Sequence, residues 1–273
     1  MIMSFVEHKA LQEKLIIFGK SAYPKFGNVV ILAGGAGSGK GFQLGNLLGI
    51  DGKVFDVDHL KQLAIKSEHF AKRIKDETGQ DLKNYDLRNP DMVSKLHDVL
   101  SSVYNLPKKN QNTMFADILT KPADLIFDVT LKDMGKLESI TRNVSELGYD
   151  MKNIHLVWIV NDFKVAMEQN RKRSRVVSDE ILMSTHEGAA ITMKKILDMG
   201  DKIKKYLDGD IYITFNKVGV DTNMEKSKFG GSYIKDANYI RVKKQGKAVM
   251  SSDQLDKAVY DKIKNYVPEV DNW

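Results

Sequence analysis

Two kinds of apolar pattern alternate along this chain. Short, largely β-branched runs recur at "VVILA" (29–33), "KVFDVD" (53–58), "ADLIFDVT" (123–130), "IHLVWIV" (154–160) and "DIYITFNK" (210–217). Compact apolar runs of this kind are what strands covered on both faces of a parallel sheet show. Between them the apolar positions fall at helical spacing. Residues 5 to 19 carry Phe5, Ala10, Leu11, Leu15 and Ile16 as one helical face, until "YPKFGN" breaks the pattern. "KGFQLGNLLGI" predicts a helix weakened by Gly45, and residues 59 to 104 read as mostly helical with "RNPD" (88–91) as break and restart. "LPKKNQNT" (106–113) reads as a polar connection, and "MGKLESITRNVSELGY" as an amphipathic helix closed by Gly148. Further helices are expected from Asp162 to about Arg173 and from about Asp179 to Lys204. The last stretch reads as a loop and hairpin followed by the helix "DQLDKAVYDKIKNYV".

Strands alternating with helices indicate an α/β fold, a parallel sheet of about five strands flanked by helices and interrupted by a helical insertion. The expected division is a nucleotide-binding domain over 1–220 and a C-terminal hairpin-helix appendage over 221–273. In such sheets ligands sit beyond the carboxyl ends of the strands. Three of the predicted strands end there in polar groups: the glycine cluster after Ala33, Asp56 with Asp58, and Asp128 with Thr130.

The glycine cluster carries the most specific chemistry. "GGAGSGK" (34–40) fits G-x-x-x-x-G-K, with a strand before it and a helix after it. Converging backbone N–H groups along Gly35, Ala36, Gly37, Ser38, Gly39, Lys40, Gly41 and Phe42 suit phosphate oxygens, and the helix N-terminus adds its dipole. Lys40 supplies a mobile positive charge. Gly41 stands where a magnesium-coordinating Ser or Thr is usual, so Mg2+ would be held through water, phosphates and a carboxylate.

The loop resembles the GxPGxGKGT loops of adenylate kinases and related nucleoside monophosphate kinases, with Ala36 for their proline and Phe42 for their threonine. "VFDVDHLKQ" (54–62) resembles the D-x-D-x-[FL]-[KR] string of zeta-toxin-type kinases. "LIFDVT" (125–130), "LGYDMKNIHLVWIV" and "DIYITFNKVG" are similar to the later strands of that family, so the resemblance runs over roughly residues 28 to 220. It implies a P-loop kinase-like fold, ATP and Mg2+, and an acceptor hydroxyl on a nucleotide sugar or polynucleotide. It makes Asp58 the base and Asp56 a supporting or metal-side group, and it gives Asp128 and Thr130 to the acceptor or an outer magnesium water. Lys132 lies where the family has an arginine contacting substrate. A lid around 162–180 would contribute Arg171 and Arg175. An antitoxin-like protein partner is also implied.

Read without the resemblance, the same residues keep other options. Asp56 and Asp58 share a face if both lie on a strand, but Asp58 equally suits a helix cap. Thr130 or Asp133 suits a cap as well. "NRKRSRVVSDE" (170–180) places four cations within five residues, a lid, a solvated helix end or a nucleic-acid patch. If it is helical, Arg171 and Arg175 share a face and Arg173 points elsewhere.

Composition narrows the classes. Of 273 residues, 42% are hydrophobic and 29% charged, an ordinary globular balance, and there is no cysteine, which excludes disulfides, thiolate metal sites and cysteine nucleophiles. That absence and a start without a signal-peptide core lead to the expectation of a cytoplasmic protein. No apolar stretch approaches the roughly 18 to 20 residues that cross a bilayer, so no membrane partner is expected. The net charge of +6 and pI near 9.1 favour phosphate-bearing ligands or nucleic acid. The alternative to a kinase is a nucleotide-binding or nucleic-acid-associated protein with little or no turnover.

Overall fold

The computed structural model describes residues 16–18, 27–226, 232–244 and 246–263. Its centre is a seven-stranded sheet. Five strands run parallel: β2 (Val29–Ala33), β4 (Lys53–Asp56), β5 (Leu125–Asp128), β6 (Ile154–Val160) and β7 (Ile211–Phe215). Their spatial order is β7, β6, β2, β5, β4, so the strand leading to the glycine loop lies in the middle. These are the five strands the apolar runs predict. Residue by residue, β2 is fully buried, with Val29 and Ile31 facing one core and Val30 and Leu32 the other.

Helices cover both faces. On one side α5 (Leu106–Thr120), α6 (Met134–Glu146) and α8 (Asp179–Asp198) deliver Ile118, Leu137, Ile140, Val144, Met193 and Ile196 onto the sheet. Fully burying each such side chain stabilises the fold by about 1.5–3 kcal/mol. On the other side α1 (Lys40–Asn46) packs with a short parallel pair, β1 (Ile16–Ile17) and β3 (Leu48–Gly49). A small antiparallel hairpin, β8 (Thr222–Lys226) with β9 (Ser232–Ala237), adds Ile234 and Met224 to that core. The helical insertion comprises α2 (Val57–Lys66), α3 (Glu68–Thr78) and α4 (Pro90–Asp98), with a core of its own around Ile74, Leu82, Leu96 and Leu100. Among the described residues no helix is long and apolar enough to cross a membrane.

Five local expectations need correction. The helix expected over "KGFQLGNLLGI" ends at Asn46, and Leu48–Gly49 is the strand β3. Ile16–Ile17 is a strand rather than the end of a helix; the rest of the predicted 5–19 helix lies outside the described residues. The strand at 53 stops at Asp56, because the Asp56 carboxylate caps α2 by accepting the Asp58 and His59 N–H groups at 2.8 and 3.2 Å. Residues 106–113 are helical, with Pro107 in the first turn, where a missing N–H is harmless. Last, β10 (Tyr239–Lys244) and β11 (Lys247–Ala248) extend the central sheet: β10 pairs antiparallel with β7, Ile240 opposite Ile213. The segment read as an appendage thus supplies two of the seven strands, followed by α9 (Ser252–Ile263).

Candidate phosphate-binding and acceptor cleft

Parallel strands put their carboxyl ends on one edge, and here the register does so closely. Asp128 lies opposite both Leu32 on β2 and Asp56 on β4. The glycine loop leaves β2 one residue later. Beyond these ends opens a cleft of about 940 Å³. The predicted residues Ala36, Gly37, Gly39, Lys40, Gly41 and Phe42 line it from the loop side. Asp56, Asp58, Asp128, Thr130 and Lys132 line it from the neighbouring strand ends. At Leu131 the backbone enters the left-handed region (φ 53°), a turn that carries the chain from Thr130 to Lys132 along the cleft wall.

The loop is held from outside. Gly37 has φ 75°, and a Cβ there would come within 2.6 Å of the Ala166 carbonyl oxygen, so only glycine lets the loop lie against α7 (Phe163–Lys172). Ser38 is fully buried beneath the loop, and its carbonyl accepts a 2.9 Å bond from the Asn216 side chain at the end of β7. Asn216 in turn accepts from Gln43 on α1 at 2.9 Å. The N–H groups of Lys40, Gly41 and Phe42, at the start of α1, have no intrahelical acceptor and face the anion end of the helix. The Lys40 ammonium folds back, donating to the Gly34 and Gly35 carbonyls at 2.9 and 3.4 Å and lying 3.6 Å from Asp128.

The carboxylates are electrostatically distinct. Burial pushes the Asp58 carboxyl up, but Arg175, Lys61, Arg173 and Lys40 together hold it below the usual range. Arg175 makes the closest contact, an ion pair from its guanidinium, and Lys61 stands 3.5 Å away on the same face of α2. Asp128 goes the other way. Burial raises it, Lys40 counteracts, and the nearby charges of Asp56 and Asp58 raise it further. Three carboxylates therefore crowd one strand edge, an arrangement that a divalent cation would relieve. Among the described residues no group of three or more His, Asp or Glu is arranged as a metal cage. Asp56 spends one oxygen on its helix cap, leaving the other free.

The basic cluster divides. α7 ends at Lys172, so the segment is not helical through Arg175 and the condition for Arg171 and Arg175 to share a face is not met. Arg171 is exposed and pairs with Asp179 at 3.2 Å, away from the cleft. Arg175 is buried behind Asp58, and Arg173, which only a continuous helix would have turned away, lines the cleft. The segment between α7 and α8 is tied down by the Asn170 side chain, which donates to the Val177 carbonyl and accepts its N–H, and by the Val176 N–H on Leu87.

Sequence reasoning passed over several lining residues. Lys61 is the basic position of the D-x-D string and one helical turn from Asp58, a signal that was present. Its buried ammonium donates to His97 Nδ1 at 2.6 Å, and His97 comes from α4, too distant in sequence to be foreseen. Asn161, Lys217 and Thr185 line the cleft without any motif to announce them.

No protein-family model matches the chain, and no curated protein matches it. Solved structures do. A structure of AvrRxo1-ORF1:-ORF2 with ATP is 12% identical, with a TM-score of 0.42, over 98% of this chain and 69% of that one. The PezAT toxin-antitoxin system of Streptococcus pneumoniae is 15% identical, with a TM-score of 0.34, over 77% and 74%. TT1252 from Thermus thermophilus is 15% identical, with a TM-score of 0.33, over 71% and 90%. At such low scores these likenesses do not bear on the chemistry, which rests on the residues of the cleft.

Proposed function

We propose that this protein is an ATP-dependent phosphotransferase that moves the γ-phosphoryl group to an acceptor hydroxyl. One observation carries the reading: the glycine loop with Lys40 and the carboxylate of Asp58 open into the same cleft. A loop alone would bind nucleotide. A loop facing an ionised carboxylate across one cleft has what in-line transfer to an alcohol requires.

In this reading the loop N–H groups and Lys40 hold the β- and γ-phosphates. The acceptor oxygen forms its bond to the γ-phosphorus as the bond to the ADP oxygen breaks, and the hydroxyl proton passes to Asp58. Arg173, facing the cleft, neutralises charge on the transferring group. Arg175, buried behind Asp58, orients it. Asp128, Thr130 and Lys132 form the acceptor wall. Asp56 or Asp128 would hold Mg2+, which would neutralise charge on the phosphates, since no Ser or Thr follows Lys40.

A second reading is nucleotide binding without turnover. It is favoured by the Arg175 ion pair that occupies Asp58 and by Gly41 in the metal-binding position. A transfer screen with γ-labelled ATP against nucleotide sugars, nucleosides and 5′-hydroxyl oligonucleotides separates the two. Label on an acceptor establishes the kinase; ATP binding with no label moved to any acceptor or to water leaves the second reading. Steep weakening of oligonucleotide binding with salt would mark a polynucleotide acceptor.

A further inference from the structure

The glycine loop is gripped from above by a helix that the proposed reaction does not use. At Ala36 both backbone polar groups are engaged by consecutive residues of α8. The Ala36 N–H donates to Thr185 Oγ1 at 3.1 Å, while the Thr185 hydroxyl donates to the Leu182 carbonyl at 2.8 Å. The Ala36 carbonyl accepts from His186 Nε2 at 2.7 Å. A carbonyl only accepts, so the imidazole carries its proton on Nε2. Burial, followed by the opposing Ala36 bond and the nearby Lys40 charge, leaves its pKa below the usual histidine range, which keeps the ring neutral. The ring lies so close that a Cβ on Gly35 would collide with it, and Phe163 of α7 packs edge-on against it at 5.9 Å.

Each of these bonds restrains a peptide group that a glycine-rich loop would otherwise leave free to rotate. The Ala36 carbonyl shares its peptide with the Gly37 N–H, so the His186 bond sets whether that N–H can turn toward an anion, while the Thr185 bond fixes the peptide before it. We propose that Thr185 and His186 are positioning residues that fix the Gly35–Ala36–Gly37 backbone and thereby set the phosphate affinity of the loop. The proposal rests on the reading of this loop as the phosphate site. It adds a role for α8, whose start follows the Arg173–Val177 segment. One helix then joins the lid arginines to the loop they must face.

Two measurements on the whole protein test it. Hydrogen exchange at the Ala36 amide, without ligand, reads the grip itself: exchange is slow in the wild type and at least tenfold faster in Thr185→Val. Binding of ATP and of tripolyphosphate reads the consequence. Thr185→Val and His186→Phe each weaken both ligands about fivefold, the worth of one ordinary hydrogen bond. Thr185→Ser and His186→Gln, which keep the hydroxyl and an N–H at the Nε2 position, restore binding; a general packing role predicts no such rescue. Ala36→Pro, which has no N–H to give, makes Thr185→Val silent. Equal exchange in wild type and Thr185→Val, or equal affinities across the variants while the wild type binds ATP, overturns the positioning role and leaves the kinase reading standing. A wild type that binds neither ATP nor tripolyphosphate overturns both.

Discussion

The guanidinium of Arg175 rests on the carboxylate of Asp58, 117 positions earlier in the chain. The pair joins the segment after α7 to the first turn of the helical insertion, and it puts a buried cation directly behind the proposed base. Because the Asp58 side chain is 39% exposed, the pair is worth less than a fully buried one. Arg175→Ala is expected to lower stability by about 1–3 kcal/mol in urea unfolding. It should also slow transfer, since Asp58 is no longer held in place. Arg175→Lys should recover little of either, because an ammonium does not reproduce the planar fork. Wild-type activity in Arg175→Ala would remove it from the site.

Lys40 and Asp58 should fail differently. Lys40→Ala is expected to weaken ATP binding, seen by calorimetry, because the β- and γ-phosphates lose their nearest cation. Asp58→Asn should bind ATP normally and lose transfer by roughly 10²–10⁴-fold. Equal turnover in Asp58→Asn would end its assignment as base.

How much of this was legible beforehand follows from where the information resides. The run "VVILA" and the string "GGAGSGK" are local signals, and they located the loop and the middle strand correctly. The strand at 53 ends two residues before its apolar pattern does, because Asp56 can either continue a strand or cap a helix and only the bonds to Asp58 and His59 decide. Pairing of β10 with β7 depends on residues 25 or more apart, and "YIRVKK", half-buried but broken by three cations, gives little sign of it. The grip of Thr185 and His186 on Ala36 spans about 150 positions and has no motif at all.

Gly41 and Gly37 make a contrasting pair. An added side chain at Gly41 meets nothing within 4 Å, whereas at Gly37 it strikes the Ala166 carbonyl from a backbone with φ 75°. Gly41→Ser should therefore fold normally and gain about 0.5 kcal/mol of helix propensity. If the cation lies at this end of the cleft, the new hydroxyl lowers the Mg2+ concentration needed for half-maximal transfer. An unchanged Mg2+ dependence would place the cation elsewhere. Gly37→Ala should lose about 1–3 kcal/mol and most ATP binding.

Away from the cleft, Asp124 accepts the Asn28 N–H at 2.8 Å under the sheet, and burial pushes its carboxyl up to about 6. The folded state thus holds this proton more tightly than the unfolded chain, whose value is near 3.9. Its contribution to stability is complete below about pH 4 and is lost as pH rises through about 6. His155, lowered to about 4 by burial, acts in the opposite sense, losing stability as pH falls below the ordinary histidine range. The comparison that isolates Asp124 is the wild type against Asp124→Asn, which keeps the acceptor oxygen. The wild type should decline relative to the variant between about pH 4 and 6 and run parallel above it. Parallel curves throughout would show that the carboxyl titrates normally.

The antiparallel β10 also has a bearing on handling the protein. Along Ile211–Phe215 it occupies main-chain donors and acceptors that would otherwise lie bare at the rim of a long apolar ribbon. A version trimmed after residue 220 would leave that rim sticky, an invitation for neighbouring molecules to zip together. Such a version should clump in light scattering even though every loop and carboxylate of the cleft is still encoded, so the tail serves as a sheath.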